Sequence, residues 1–331
     1  MSITWIITVL CIIAVTLAYV AWNYIRIRKM PEGTADMVDM AAIIRSGANA
    51  FMKTEYKTIT IVVALISLAL SLFVEKTSGI TFLVGAAMSS CACVLGMKSA
   101  TYANVRTANK ARESMSIGDT VKVALCGGSI SGLSVQAFGM LGLVAVLLIW
   151  GGVNHQTDGS GLLIHLQGVN ASVMRVSTYS LGCSLVAMFN RVAGGNYTKA
   201  ADISADILGK IRNDLPEDDS RVPNVIADFI GDNVNDIAGN CSDLLESFVA
   251  TMSATIMIAV IMFQKFSIEQ MFNPTVIFPI ALAGAGLLSC LIGMLYANVK
   301  KMGSDPSHEL NLATWISAGL TVILGLGASW L

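Results

Sequence analysis

Charged side chains are scarce in this sequence. They make up 13% of its 331 residues, about half the roughly 25% usual in a soluble domain, which excludes an ordinary soluble globule. A surplus of either sign is also missing: the formal net charge of −1 offers nothing to a polyanion, so nucleic acid is excluded as a partner. Histidine occurs only as His155, His165 and His308, in apparent loops or at segment edges, and no chemistry is assigned to it. The seven cysteines, Cys11, Cys91, Cys93, Cys126, Cys183, Cys241 and Cys290, have neither zinc-site spacing nor a loop setting that suits disulfides. They read as small buried hydrophobes. No Walker-type loop is present, since "GKIR" around Gly209 lacks the upstream glycine and the Ser/Thr. The first apolar run, "ITWIITVLCIIAVTLAYVAWNYI", has no basic stretch before it and no small-residue cleavage site. It reads as a retained span rather than a signal peptide.

What is there is apolar: 54% hydrophobic residues and a mean hydropathy of +0.68. Runs long enough to cross a bilayer recur near 3–25, 58–75, 79–104, 121–150, 173–198, 224–263, 274–298 and 311–331. They predict an all-α polytopic transmembrane bundle of about eight spans, a single membrane domain over 1–331. The fifth and sixth runs exceed a bilayer and are expected to project into water, joined by a polar hinge over 199–223. Lys and Arg concentrate in alternate loops: Arg26, Arg28, Lys29, Arg45, Lys53 and Lys57; then Arg106, Lys110, Arg112 and Lys122; then Lys199, Lys210, Arg212 and Arg221; then Lys300 and Lys301. The opposite loops hold Lys76, Arg175 and Lys265. The positive-inside rule then puts the N-terminus outside and the hinge in the cytoplasm.

Against this background one stretch is unusual. "NVIADFIGDNVNDIAGNCSDLLESF" spaces Asp228, Asp232 and Asp236 at i, i+4, i+8, followed by Asp243 and Glu246 as the run becomes apolar. On a regular helix the first three share a face, and like charges at that spacing repel. An unpaired ionised carboxylate is more costly still where water thins out, so a cation is required. Hard divalent ions such as Mg²⁺ suit carboxylates with water and phosphate oxygens; the chain's own Lys and Arg are the other source. The end of the preceding helix, "RVAGGNYTKAADISAD", supplies Arg191 and Lys199, with Asp202 and Asp206 on the face of Lys199. This inventory fits metal-bridged binding of a bare phosphate compound. A solvated acidic face is the plain alternative, above all for "PEDDSR". It explains less of the Asp228–Asp243 stripe, because intramembrane acids are functional candidates by default.

The chain resembles the membrane-bound, ion-pumping pyrophosphatases. The resemblance lies in "GGNYTKAAD" at Gly194–Asp202, "PEDD" at Pro216–Asp219 and "GDNVNDIAG" at Gly231–Gly239, with "IIRSGANAFMKTEYKTI" from Ile43 and "GMKSATYANVRTA" from Gly96. It implies a pyrophosphate-energised cation pump that hydrolyses Mg²⁺-pyrophosphate on the cytoplasmic side. Arg191 and Lys199 would contact pyrophosphate; Asp202, Asp206, Glu217, Asp228 and Asp232 would hold Mg²⁺. Asp236 would polarise the attacking water, and Asp243 and Glu246 would form the ion gate. Glu246, with Ala250 one turn on, implies Na⁺ rather than H⁺ as the transported ion, and K⁺ enters as a further cation. The resemblance also implies an integral multi-pass protein in lipid, in the cell membrane if the source is bacterial, and a homodimer at full length.

The sequence departs from the family pattern at Asn235, where a glycine is usual, and at Phe229, Asn196 and Ser220. It resembles only the N-terminal half of a fold with about sixteen spans. The expectation is therefore a fragment, split gene product or degraded copy, inactive by itself without the C-terminal half. Two other readings stand beside the pump: a secondary cation transporter or channel, and a catalytically inactive member of the fold. Arg191 and Lys199 separate the pump from the transporter, since a cation path gains nothing from buried positive charge, while Asn235 and the missing half favour the inactive member.

Overall fold

The computed structural model describes residues 2–151, 171–212, 214–216, 219, 222–262, 273–300, 302–303 and 305–329. Among them are eight long helices and no strand: α1 (Ser2–Arg28), α2 (Ala35–Phe73), α3 (Ser78–Ser114), α4 (Ile117–Val146), α5 (Ala171–Asp206), α6 (Asn224–Ile261), α7 (Pro274–Val299) and α8 (Pro306–Ala328). π-Helical turns extend α4 over Leu147–Gly151 and α5 over Ile207–Arg212, and a third, Asn233–Gly239, interrupts α6. The all-α polytopic bundle expected from the apolar runs is what forms. Seven of the eight helices are long and apolar enough to span a bilayer. The eighth, α5, is long enough, but it carries Arg175, Asn190, Arg191 and Lys199 and packs chiefly against α3 and α6. Arg175 and Asn190 are buried against those neighbours, whereas Arg191 and Lys199 stay exposed.

The helices begin earlier than hydropathy alone indicates. α2 starts at Ala35 rather than near 58, because Ala41, Ala48, Met52 and Glu55 form a buried stripe along a segment whose other face is charged. The stretch 199–223 is helical as far as Arg212. Four cysteines, Cys93, Cys126, Cys183 and Cys241, are buried as expected, whereas Cys11, Cys91 and Cys290 lie on the outside of the bundle. His155, His165 and Lys265 fall outside the described residues.

Two contacts set the positions of the functional helices. α3 and α5 run parallel and touch backbone to backbone. A Cβ on Gly85 would overlap the Tyr179 carbonyl oxygen, and one on Gly182 would overlap that of Phe82. α5 meets α6 at Gly194 and Gly231, where a Cβ would stand 3.2 Å from the Asn235 Cα and 2.9 Å from the Thr198 Cα. The motif glycines therefore serve close helix packing.

Buried ion pairs close the two ends. At one end, Arg175 (1% exposed side chain) bonds Glu75 at 2.9 Å and also donates to the Trp150 carbonyl. Burial raises the Glu75 pKa, but hydrogen bonds from Arg175 and Thr77 outweigh it, and the carboxyl lies below its ordinary range. At the basic end, Arg45 donates to both Glu32 oxygens at 2.9 Å and Arg106 reaches the same carboxylate at 2.9 Å. The Tyr102 ring packs beneath Arg28, Arg45 and Arg106.

Candidate active site at the junction of α5 and α6

The end of α5 and the start of α6 meet at the same end of the bundle as Arg45 and Arg106. A cavity of 80 Å³ opens between them, lined by Asp202, Asp206, Lys210, Asp219 and Asp228 among others. Its acids come from three segments: α5, the linker and the first turns of α6. Lys199 pairs with Asp202 at 3.2 Å and Lys210 with Asp206 at 3.0 Å. These pairs sit at i, i+3 and i, i+4, and both are half-exposed, so each contributes little to stability. Their effect is to reduce the mutual repulsion of the acids.

The other predicted residues are distributed differently. Glu217 and Ser220 lie outside the described residues, and Asp232 is exposed on α6. Asp236 falls inside the π-helical stretch. Asp236 lies two turns along α6 from Asp228, about 12 Å along the axis. It lines a larger cavity of 680 Å³ between α3, α4 and α6, beside Asn104 and Asn240. π-Helical insertions are frequent at functional sites. The regular i, i+4, i+8 ladder is thus broken at its third member.

Arg191 turns away from the small cavity. It donates to Asn240 Oδ1 at 2.7 Å and faces Asp243 at 3.7 Å. Neither Arg191 nor Lys199 lines that cavity; Arg191 instead bridges α5 to Asp243. Glu246 accepts a hydrogen bond from Ser184 at 2.8 Å. Asp243 and Glu246 are half-buried, each tied to α5 through one partner.

Asn235 is accommodated by glycines. Its backbone faces Gly194, its Oδ1 lies 3.6 Å from where Gly195 and Gly239 would carry a Cβ, and its amide donates to Asp236 Oδ1 at 3.0 Å. Phe229 packs in a small cluster with Ala205, Val222 and Val225. Asp219 and Lys210 were not singled out by sequence. The signals available were the second aspartate of "PEDD" and the i, i+4 spacing of Asp206 and Lys210.

The donor set suits Mg²⁺ rather than a soft metal. Asp202, Asp206, Asp219 and Asp228 offer only hard oxygen around one cavity. Among the described residues, no three of the acids, cysteines and histidines stand close enough to cage a metal by themselves.

Comparison with known proteins places this arrangement. The chain is 45% identical over 323 residues to a "K(+)-stimulated pyrophosphate-energized sodium pump" of Thermotoga maritima, covering 94% of this chain and 44% of the relative. It is 32% identical over 296 residues to a "K(+)-insensitive pyrophosphate-energized proton pump 2" of Moorella thermoacetica, covering 89% and 40%. Over 352 residues it is 32% identical to "Pyrophosphate-energized membrane proton pump 3" of Arabidopsis thaliana, covering 98% and 42%. The chain thus spans less than half the length of these relatives. With a match to the family description "Inorganic H+ pyrophosphatase" over residues 13–331 and seven apolar spanning helices, this multi-pass membrane protein belongs to the inorganic H⁺ pyrophosphatase family.

Proposed function

We propose that these residues form one wall of a site that hydrolyses Mg²⁺-pyrophosphate at the cytoplasmic face and couples hydrolysis to export of Na⁺. The observation that carries this reading is the acid-lined cavity of α5 and α6, with lysines paired to its acids, and the separate pair of Arg191 with the deeper Asp243 on the same two helices. Asp202, Asp206, Asp219 and Asp228, which line that cavity, would hold Mg²⁺, and Asp232 and Glu217 are assigned with them by the family resemblance. A Mg²⁺ ion held by these acids would supply neutralisation of charge on the phosphate oxygens.

The chain's own groups have distinct tasks. Lys199 supplies an ammonium at the mouth of the cavity and binds a terminal phosphate oxygen. Asp236, held by the amide of Asn235, accepts a proton of the attacking water through its other oxygen. Arg191 exchanges Asp243 for a phosphate oxygen when substrate is bound. That exchange leaves Asp243 free to take a cation, which is how substrate binding alters the deeper site.

The basic loops put the cavity in the cytoplasm and the N-terminus outside. As in the family resemblance, the assembled protein is a homodimer in lipid, with K⁺ as an added cation. By themselves, these residues bind Mg²⁺-pyrophosphate without turning it over, because they supply one wall of the site and the chain spans less than half the length of its relatives. The test is phosphate release from membranes that hold this chain together with the remaining part of the Thermotoga maritima relative. Release that needs both parts, Mg²⁺ and Na⁺ supports the proposal. Release by this chain alone contradicts the one-wall reading, and no release from the pair contradicts the pump.

A further inference from the structure

The basic end of the bundle gathers more positive charge than its one paired acid can meet. Three guanidiniums surround the Tyr102 ring of α3, Arg28 at 5.3 Å, Arg45 at 5.0 Å and Arg106 at 5.5 Å. Glu32 is the one carboxylate among the described residues that pairs with them, and Arg45 and Arg106 take it up. Arg106 also donates to the Met30, Tyr102 and Arg28 carbonyls. Arg28 has neither an acid nor an acceptor for its side chain among the described residues. It is exposed and lies over two rings, Tyr102 and, at 5.9 Å, Tyr24. Those rings meet edge to face at 6.1 Å, so the guanidinium is positioned with its N–H groups unspent.

The surface beside Arg28 faces lipid. Ile25 and Trp22, the first one turn before Arg28 on α1, are 53% and 55% exposed, and Arg26 lies over the Trp22 ring at 5.8 Å. An exposed tryptophan beside an arginine at the end of an apolar span marks the headgroup level of a bilayer. α3 carries a matching outward stripe, with Ala87, Cys91 and Lys98 exposed along one face. Tyr102 follows Lys98 at i+4, where Cβ atoms stand about 5–6 Å apart, so Lys98 adjoins the ring that Arg28 covers. Lys98 likewise has no acid or acceptor for its ammonium among the described residues. α1 and α2 both pack on α3 and scarcely on each other. The stripe is therefore open up to Tyr102, where Arg28 of α1 and Arg45 of α2 converge on the ring.

We infer that Arg28, with Lys98 beside it, holds the phosphate of an anionic phospholipid in the recess between α1 and α2, with the acyl chains along the exposed stripe of α3. A phospholipid meets two needs at once. Its phosphate supplies the negative charge that Glu32 alone cannot, and its chains cover the apolar surface below. A free phosphate meets only the first. The arginine fork matches phosphate oxygens, and basic clusters at the end of a span attract anionic headgroups. Net charge sets the preference: the choline of phosphatidylcholine offsets its phosphate, whereas phosphatidylglycerol keeps a full negative charge. The site lies apart from the acids of α5 and α6 and stands whether or not pyrophosphate is the substrate.

The test is native mass spectrometry of the purified full chain in detergent, titrated with phosphatidylglycerol in the presence of excess phosphatidylcholine. Wild type is expected to retain phosphatidylglycerol against that excess. Arg28→Gln and Lys98→Gln are each expected to weaken the tightest phosphatidylglycerol about fivefold. Lys300→Gln, which removes an exposed lysine just past α7, is the control for net charge and is expected to leave that affinity unchanged. Equal affinity in wild type and Arg28→Gln, an equal loss in Lys300→Gln, or displacement of the lipid by inorganic phosphate overturns the inference. Should Arg28→Gln fail to fold, Lys98→Gln, at an exposed side chain with no bond to lose, decides alone.

Discussion

Replacing Gly231 with alanine is expected to force α5 and α6 apart at the candidate active site. The added Cβ would stand 2.9 Å from the Thr198 Cα, 3.0 Å from its Oγ1 and 3.2 Å from its Cβ. Carbon atoms are comfortable at about 3.5–4.0 Å, so the helices must separate by roughly half an ångström. Overpacking of this kind costs about 1–3 kcal/mol. Alanine also gains about 0.8–1.0 kcal/mol over glycine in a helix interior, and a control removes that contribution. Gly319 of α8 is helical and has nothing within 4 Å of its would-be Cβ. Gly319→Ala gains the propensity without the clash, so the difference between the two variants reads the steric cost directly. In thermal unfolding in detergent, about 1–3 kcal/mol corresponds to a melting temperature several degrees lower for Gly231→Ala than for Gly319→Ala. Because Asp202 and Asp206 stand on α5 and Asp228 on α6 around one cavity, the stabilisation by added Mg²⁺ is expected to fall with it. A Gly231→Ala protein that melts at or above Gly319→Ala refutes the packing argument.

Two further predictions concern single acids. Asp243→Asn is expected to cost less than about 1 kcal/mol of stability, since its pair with Arg191 is half-exposed. The same substitution is expected to raise the Na⁺ concentration needed for half-maximal hydrolysis in the two-part membranes, and an unchanged Na⁺ requirement would remove Asp243 from the ion path. Glu32→Gln is expected to cost about 2–3 kcal/mol, somewhat under the value for a fully buried pair, because its side chain is 16% exposed. Arg45, hydrogen-bonded to Glu32, holds that carboxyl below its ordinary range. Its contribution is complete above the unfolded pKa near 4.3 and is lost as pH falls through the folded value. The melting-temperature gap between wild type and Glu32→Gln is therefore expected to be flat near neutrality and to close in acid; a gap that persists in strong acid contradicts the charge argument.

Hydropathy made the helices legible but not their lengths. A bilayer-length window finds the apolar half of α2 and misses its polar half, where Arg45, Lys53 and Lys57 share the helix with a buried stripe ending in Glu55. Glu55 was quoted within a motif but not singled out, because a lone acid in a segment read as a loop gives no periodic signal. The acidic ladder was visible as spacing, yet spacing assumes a regular helix. The stretch Asn233–Gly239 is π-helical instead, and which cavity Asp228 or Asp236 opens on is set by the helices packed around α6. Arg191 was legible as a cation needing an anion; which anion depends on the α5–α6 contact, set by glycines facing Asn235 and Thr198. Asp219 and Lys210 reach the cavity only through the chain's return from α5 to α6, which is tertiary information.

The central claim is that the acids of α5 and α6 bind pyrophosphate through Mg²⁺. Its most direct test is calorimetric titration of the purified chain with imidodiphosphate, a non-hydrolysable analogue, with and without Mg²⁺. Wild type is compared with Asp202→Asn/Asp228→Asn and with Glu309→Gln, an acid outside the site on α8. Saturable binding that requires Mg²⁺, is lost in the double variant and survives in Glu309→Gln is the predicted result. Binding that needs no Mg²⁺, or that persists undiminished without Asp202 and Asp228, would contradict it.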